Sequence, residues 1–126
     1  IFPANKTKIP EIHIHAFSPL EIHHGAMTLG YTVKDFLLML KEAGLNTMPG
    51  TAAEILDDRV RDKICPDKIN SARWLEVIAT AHEIGINTTS TIMFGHQENI
   101  SETCKFHSGH VGRKGPTHGI TTGTAP

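Results

Sequence analysis

A carboxylate and a group of cationic side chains lie close together in the middle of the chain. Thr51 is followed three residues later by Glu54, and the cations that come after are Arg59, Arg61, Lys63, Lys68 and Arg73. The Thr51–Glu54 spacing is that of a capping box, in which the glutamate accepts from the threonine backbone N–H. Alternatively, Glu54 follows a strand at the edge where parallel α/β proteins bind ligands, and its carboxylate could accept bonds from ribose hydroxyls.

The cations near Glu54 also have two interpretations. A guanidinium fork beside the glutamate could hold a ligand carboxylate in a bidentate manner. Spacings such as Asp57–Arg61 are instead typical of a solvated helix face with ion pairs one turn apart. For Arg59 and Arg61 we favour the solvated face.

Two histidines alternate along a short segment with β character. Residues 11–17 read Glu-Ile-His-Ile-His-Ala-Phe, so His13 and His15 lie on one face and the two isoleucines on the other. A His-x-His pair can chelate a divalent metal, as a metal-dependent hydrolase would require, if a further ligand such as His96 joins it. We favour a polar pocket lining for this pair and predict no metal site.

Hydroxyl side chains line the last strand in the pattern. Thr89 and Thr91 share one face with Met93, and Thr88, Ser90, Ile92 and Phe94 take the other. A row of hydroxyls can hydrogen-bond a polar substrate, or it can simply pack within a β-rich strand. Both interpretations stay open on the residues alone.

The elements that must position these residues alternate between strands and helices. Strands are predicted over 11–17, 45–48 and 86–94, and helices over about 32–43, 52–63 and 71–84. Ser18-Pro19 ends the first strand, and His23 and His24 are placed in a loop. This order predicts βα units, a parallel sheet and an α/β fold class. From about residue 97 the sequence loses its period and is interpreted as irregular.

The bulk properties limit the function classes. The 126 residues are enough for one domain, and the formal net charge of −1 gives no electrostatic basis for binding nucleic acid or an anionic membrane. No apolar run approaches the roughly 18 residues of a membrane span. Cys65 and Cys104 are the two cysteines, which is typical of a reducing compartment, so a cytoplasmic location is expected.

Six blocks of the sequence together resemble the FO synthase family, at residues 13–19, 41–44, 48–58, 64–68, 74–78 and 91–96. The most specific is Pro49-Gly-Thr-Ala-Ala-Glu-Ile-Leu-Asp-Asp58. The chain is similar in particular to the subunit, or C-terminal half of the fused enzyme, that joins tyrosine to a ribitylaminouracil. Aminofutalosine-type enzymes of the menaquinone pathway, whose block is similar to a Gly-Gly-Gly-Ala-Glu version, are the alternative.

The resemblance implies a radical S-adenosyl-L-methionine enzyme with a (β/α) barrel. Such an enzyme uses a 4Fe-4S cluster to reduce the bound sulfonium, and the resulting radical activates L-tyrosine. A 4-hydroxybenzyl unit then passes to 5-amino-6-(D-ribitylamino)uracil, on the way to FO, the precursor of coenzyme F-420. A second FO synthase subunit or half is an implied partner.

The resemblance also implies roles for particular residues. Glu54 would contact the adenosine ribose, and Arg73 would hold the methionine carboxylate of the cofactor. His13 and His15, together with the hydroxyls of Thr89 and Thr91, would face the substrates inside the barrel.

The chain departs from the family where the cluster should bind. The Cys-x-x-x-Cys-x-x-Cys motif is absent, and the spacing of Cys65 and Cys104 cannot replace it. We therefore expect an internal fragment, inactive alone. Residues 1–98 would be a partial barrel with about three parallel strands, and residues 99–126 an irregular, possibly frame-shifted tail. A non-catalytic βα fragment is the further alternative.

Overall fold

Helices and parallel strands alternate along the part of the chain that the structure describes. The computed structural model describes residue 9, residues 11–51 and 53–94, and the strand at 117–124. In chain order the elements are α1 (Pro19–Leu29), α2 (Val33–Glu42), β1 (Thr47–Met48), α3 (Asp58–Ile64), α4 (Ser71–Glu83), β2 (Asn87–Phe94) and β3 (Thr117–Thr124).

The strands form one parallel sheet in the order β1-β2-β3. In β1, Thr47 pairs with Asn87 and Met48 with Thr88, so the strands are joined through the α3 and α4 crossover. The predicted parallel α/β arrangement is therefore confirmed as a partial β/α fold. The three strands within the described residues do not close a barrel by themselves, because closure takes about eight.

The first predicted strand is reduced to a single bridge. Within the predicted span 11–17, His15 forms one parallel bridge with Thr47, supported by the Ala16 N–H donating to the Thr47 carbonyl at 3.2 Å. Phe17 has a φ of 64°, which takes the chain out of the extended conformation. A helix then begins at once, so the segment cannot extend its pairing with β1.

The histidines that were placed in a loop lie on α1, so that prediction was wrong. Ser18 is the N-cap of this helix, Pro19 occupies its first turn, and Gly30 ends it with a φ of 71°. The Glu21 carboxylate accepts from the Ser18 backbone N–H at 2.8 Å and from its hydroxyl at 2.7 Å. The missed signal was this Ser18-Pro-x-Glu21 capping box.

Removing the capping hydroxyl should weaken α1 in a pH-dependent way. The bonds from Ser18 hold the pKa of Glu21 below its ordinary value of 4.5. Because the pKa of Glu21 is lower in the folded state, its ionised carboxylate stabilises the fold at pH values above 4.5. This stabilisation is lost as the pH falls through the folded pKa. We expect Ser18→Ala to cost about 1 kcal/mol at pH 7 and to raise the Glu21 pKa. Urea unfolding and carboxyl NMR titration measure both, and an unchanged Glu21 pKa would contradict the assignment.

Helix α3 begins later than predicted, and Thr51 does not cap it. The helix starts at Asp58 rather than near residue 52. The preceding residues bind β2 instead, since the Gly50 N–H donates to the Thr89 hydroxyl at 3.1 Å and the Glu54 carbonyl accepts from the Met93 N–H at 2.8 Å. The capping-box interpretation of Glu54 is therefore wrong.

The other helix ends agree with the sequence pattern. Thr32 caps α2 by accepting from the Asp35 N–H at 3.1 Å, and Asn70 caps α4 by accepting from the Arg73 N–H at 2.9 Å. Gly44, at the end of α2, has a φ of 108°. At both caps a polar side chain accepts from the backbone N–H three residues later, as the local sequence predicts.

Helices α1, α2 and α4 cover one face of the sheet. Met48, Thr88 and Ser90 point into this layer and are buried. The core beneath it contains Ile14, Ile22, Ala26, Phe36, Leu37, Leu40, Leu45, Met48, Val77, Ala81 and Ile86. The alternate residues of the strands therefore face the side of the sheet that these helices leave uncovered.

The C-terminal tail contains a strand where an irregular segment was expected. Residues 117–124 form β3, which pairs with β2 in parallel, with an irregular register between Thr88 and Ser90. The prediction of an irregular tail was wrong for this segment. The domain boundary at residue 98 and the frame shift stay predictions, because residues 95–116 lie outside the described part.

None of the helices in the described ranges has the length and apolar character needed to cross a membrane.

Candidate functional site

Polar side chains from three neighbouring segments line the uncovered face of the sheet. His15, Thr47 and Asn87 stand in register across it. A cavity of about 360 Å³ opens there, lined by His13, His15, Thr47, Asn87, Thr88 and Thr89. The two histidines and Thr89, which the sequence predicted to line a polar pocket, thus border one cavity.

One hydroxyl joins the two imidazoles. Nε2 of His13 lies 2.8 Å and Nδ1 of His15 lies 2.7 Å from Oγ1 of Thr47. Alternation on the segment points both rings the same way, and the parallel register brings Thr47 between them. A hydroxyl has one proton and two lone pairs, so Thr47 can donate a hydrogen bond to one of the two rings and accept one from the other.

Glu54 lies in a second cavity at the carboxyl end of β2. The cavity has a volume of about 320 Å³ and is lined by Glu54, Ile64, Cys65, Pro66, Asp67, Lys68 and Met93. The Lys68 ammonium lies 2.7 Å from the Glu54 carboxylate, and both side chains are partly shielded from solvent. Glu54 has a φ of 48°, a left-handed conformation that is uncommon outside glycine and is often found at functional sites.

Arg61 holds the backbone on both sides of Glu54. Its guanidinium donates to the carbonyl of Ala53, to that of Ile55 at 3.1 Å and to that of Ile69 at 2.6 Å. The side chain is 2% exposed, which contradicts the predicted solvated face. The fork of N–H groups suits several carbonyls at once, which a lysine could not serve equally well.

The two cavities lie at opposite ends of β2. Thr89 belongs to the first and Met93 to the second, and both lie on the same alternating face. Four residues of strand span about 13 Å. Thr91 stands between them and is half-buried, but it lines neither cavity. The uncovered face of β2 therefore connects a cavity lined by histidines, threonines and an asparagine to a cavity that contains the Glu54–Lys68 ion pair.

The structure does not bring Arg73 into the second cavity. Its guanidinium lies 2.6 Å from the Glu76 carboxylate on the exposed side of α4. The cation beside Glu54 is Lys68 instead, which the sequence offered only as one of several. His96 and Cys104 lie outside the described residues, and within those residues no group of three potential ligands surrounds His13 and His15.

The pKa of His23 should report the position of Arg73. Partial burial lowers the pKa of His23 below its ordinary value of 6.5, and the Arg73 and His24 cations lower it further, while Glu76 raises it. We expect Arg73→Gln to raise this pKa and Glu76→Gln to lower it, as measured by histidine NMR titration. Shifts of the same sign in both variants would contradict this placement of Arg73.

Comparison with known proteins agrees with this arrangement. The sequence model of the Radical SAM superfamily matches residues 3–107. The chain therefore belongs to the radical SAM superfamily.

Comparison with individual proteins identifies a narrower family within this superfamily. The 5-amino-6-(D-ribitylamino)uracil--L-tyrosine 4-hydroxyphenyl transferase 1 of Methanosarcina mazei is 53% identical over 102 residues, covering 81% of this chain and 27% of that protein. The corresponding transferase of Archaeoglobus fulgidus is 60% identical over 86 residues, covering 68% and 25%. The FO synthase of Mycobacterium leprae is 50% identical over 93 residues, covering 74% and 11%. The resemblance to the FO synthase family is confirmed, and the chain spans about a quarter of the transferases' length.

The superfamily in general implies S-adenosyl-L-methionine and a 4Fe-4S cluster. The Glu54 cavity suits the ribose of S-adenosyl-L-methionine, because the carboxylate that Lys68 contacts can accept hydrogen bonds from vicinal hydroxyls. The cysteines of this chain do not suit a 4Fe-4S cluster. Cys65 is buried, Cys104 is the second of its two cysteines, and a cluster of this kind takes several thiolates from one compact loop.

Proposed function

We propose that this chain supplies part of a radical S-adenosyl-L-methionine transferase. The enzyme would join a 4-hydroxybenzyl unit from L-tyrosine to 5-amino-6-(D-ribitylamino)uracil in the formation of FO. The observation that carries this proposal is the identity of 53–60% to transferases that act on these two substrates. The geometry supports it, because the strand face offers two separate cavities, one with the Glu54–Lys68 ion pair and one lined by polar side chains.

Within this proposal Glu54 accepts hydrogen bonds from the ribose hydroxyls of the cofactor. When bound, S-adenosyl-L-methionine supplies the radical chemistry of the superfamily. Lys68 donates to one carboxylate oxygen of Glu54 at 2.7 Å, which leaves the second oxygen for the diol. Arg73 is paired with Glu76 and does not line the cavity, whereas Lys68 lines it, so Lys68 is the better placed cation for the methionine carboxylate.

The substrates would occupy the uncovered face of the sheet. His13, His15 and Thr89 would bind them within the 360 Å³ cavity, and Thr91 would lie on the path toward Glu54. The cluster would be held by residues that this chain lacks. We also propose that the enzyme is cytoplasmic and that its partner is a second FO synthase subunit or half.

The experiment grafts residues 9–94 in place of the matching segment of the Methanosarcina mazei transferase, whose own loops supply the rest of the enzyme. We expect the graft to form the coupled product anaerobically. Glu54→Gln should raise the KM for S-adenosyl-L-methionine about tenfold, the value of one charge-assisted hydrogen bond.

The matched control is Glu83→Gln, which neutralises an exposed carboxylate at the end of α4. Its KM should match that of the unaltered graft. A folded, cluster-loaded graft that forms no coupled product would overturn the function. An unaltered KM in Glu54→Gln would overturn the assignment of Glu54.

A further inference from the structure

Arg61 is a buried cation that binds the backbone on both sides of Glu54. It lies in α3 and does not line the cavity that contains Glu54. Its Nη1 donates to the carbonyl of Ala53 and, at 3.1 Å, to the carbonyl of Ile55. Because it does not line the cavity, Arg61 can affect a ligand there through the backbone that it holds rather than by contact.

The same guanidinium also binds the chain next to Lys68. Its Nη2 donates to the carbonyl of Ile69 at 2.6 Å, and Ile69 directly follows the lysine in the sequence. The Lys68 ammonium lies 2.7 Å from the Glu54 carboxylate. One planar group with a fixed separation between its nitrogens therefore connects the two segments that carry this ion pair.

The backbone conformation of Glu54 depends on two donors from other parts of the chain. Its φ of 48° is uncommon outside glycine and persists only where the surroundings hold it. The carbonyl of Ala53 belongs to the peptide before this residue, and its own carbonyl belongs to the peptide after it. Arg61 binds the first, and the Met93 N–H binds the second at 2.8 Å. The two donors thus fix both peptide planes, whose relative orientation sets φ and ψ at Glu54.

We propose that Arg61 is a positioning residue for the cofactor, holding Glu54 and Lys68 in the arrangement that binds S-adenosyl-L-methionine. This inference rests on the proposed function and deepens it. There, Glu54 receives the ribose hydroxyls and Lys68 the methionine carboxylate, so both groups serve one molecule and must be correctly spaced. Groups that are ordered before the ligand arrives bind it more tightly, because less conformational freedom is lost on binding.

The fork of the guanidinium, rather than its charge, is the property that this role needs. A lysine at position 61 would keep the positive charge, but one ammonium cannot span carbonyls on two segments in a fixed geometry. An electrostatic effect of Arg61 on the cavity would therefore survive in Arg61→Lys, whereas positioning would be lost.

The test measures Arg61→Lys in the grafted transferase. We expect the KM for S-adenosyl-L-methionine to rise about tenfold, the value of one charge-assisted hydrogen bond. The KM values for L-tyrosine and the aminouracil should stay unaltered. The same substitution should have a smaller effect in the Glu54→Gln graft, because part of its action passes through that carboxylate.

Two variants control for the loss of an arginine and for the loss of stability. Arg59→Lys alters an exposed arginine of the same helix and should leave the KM for S-adenosyl-L-methionine unaltered. Ile22→Ala removes buried apolar volume from the core at α1, so it should lower the urea midpoint without raising this KM. If Ile22→Ala raised the KM as much as Arg61→Lys, Arg61 would have a structural role only.

A second measurement, on the full 126-residue chain, does not need catalysis. The three-bond NMR coupling between the amide and α protons reports φ, so it shows whether Glu54 keeps its left-handed conformation. We expect this coupling to change in Arg61→Lys and to stay the same in Arg59→Lys.

An unchanged Glu54 coupling in Arg61→Lys would overturn the assignment of Arg61, and so would an unaltered KM for S-adenosyl-L-methionine in an active graft. A folded, cluster-loaded graft that forms no coupled product before any substitution would overturn the proposed function instead. The coupling would still decide whether Arg61 positions Glu54, so the two failures are distinguishable.

Discussion

Replacing Gly50 with alanine is expected to remove about 3 kcal/mol or more of folding free energy. A Cβ at this position would lie 1.7 Å from the Thr89 carbonyl oxygen and 2.7 Å from its carbonyl carbon. Both atoms belong to the backbone of β2, which cannot move aside as a flexible side chain could. Overpacking of this kind usually costs about 1–3 kcal/mol, and a backbone clash lies at the upper end.

The matched control is Gly30→Ala. Gly30 has a φ of 71° at the end of α1, but a Cβ there would meet nothing within 4 Å. That substitution should cost about 1 kcal/mol, because it carries only the penalty of a left-handed conformation. Urea unfolding of both variants separates a clash from backbone strain. Equal losses would contradict the close approach of Gly50 to β2.

The Gly50→Ala substitution should also disturb the cavity that contains Glu54 and Lys68. The segment from Gly50 to Glu54 is held along β2 at both ends, through the Thr89 hydroxyl and the Met93 N–H. Pushing one end away would move the Glu54 carbonyl off its partner. We therefore expect faster amide exchange at Met93 in Gly50→Ala than in Gly30→Ala.

Residues near Gly50 also show why the sequence alone predicted the wrong start for α3. Thr51 and Glu54 have the spacing of a capping box, a local signal that normally predicts a helix start. Here Ala53 and Leu56 pack against Trp74 and Ile78 of α4. Gly50 and Glu54 bond to β2, and these long-range interactions outweigh the local one. At Thr32 and Asn70 no such competition arises, and the predicted caps are present.

The candidate site likewise contains residues that the sequence could predict and residues that it could not. Alternation along residues 11–17 was enough to place His13 and His15 on one face. Thr47 could not be found by that means, because only the parallel register of two distant segments brings it between the rings. Lys68 was visible only as one cation among five, since its choice over Arg73 depends on the turn after α3.

Arg61→Met is expected to destabilise the chain by about 3 kcal/mol. The substitution keeps the apolar length of the side chain but removes the donors to the carbonyls of Ala53, Ile55 and Ile69. A buried acceptor left without its partner costs about 1–3 kcal/mol, and part of this is offset because a buried charge is no longer desolvated. Urea unfolding measures the difference from the unaltered chain.

Arg59→Met is the matched control, because Arg59 lies two residues away on the same helix and is exposed. Its expected effect is within about 0.5 kcal/mol. Arg61→Lys should resemble Arg61→Met more than the unaltered chain, since one ammonium cannot span three carbonyls in a fixed fork. If Arg61→Met cost no more than Arg59→Met, the guanidinium would not be holding this segment.

The effect of Arg61 should extend to the orientation of Glu54. A left-handed conformation at a glutamate costs about 1–3 kcal/mol and persists only where its surroundings hold it. Arg61 binds the carbonyls immediately before and after that residue, so it opposes relaxation of the backbone from both sides. Without the guanidinium, Glu54 should turn away from Lys68 before the core unfolds. Amide exchange at Met93 should then rise more than the loss of global stability alone requires.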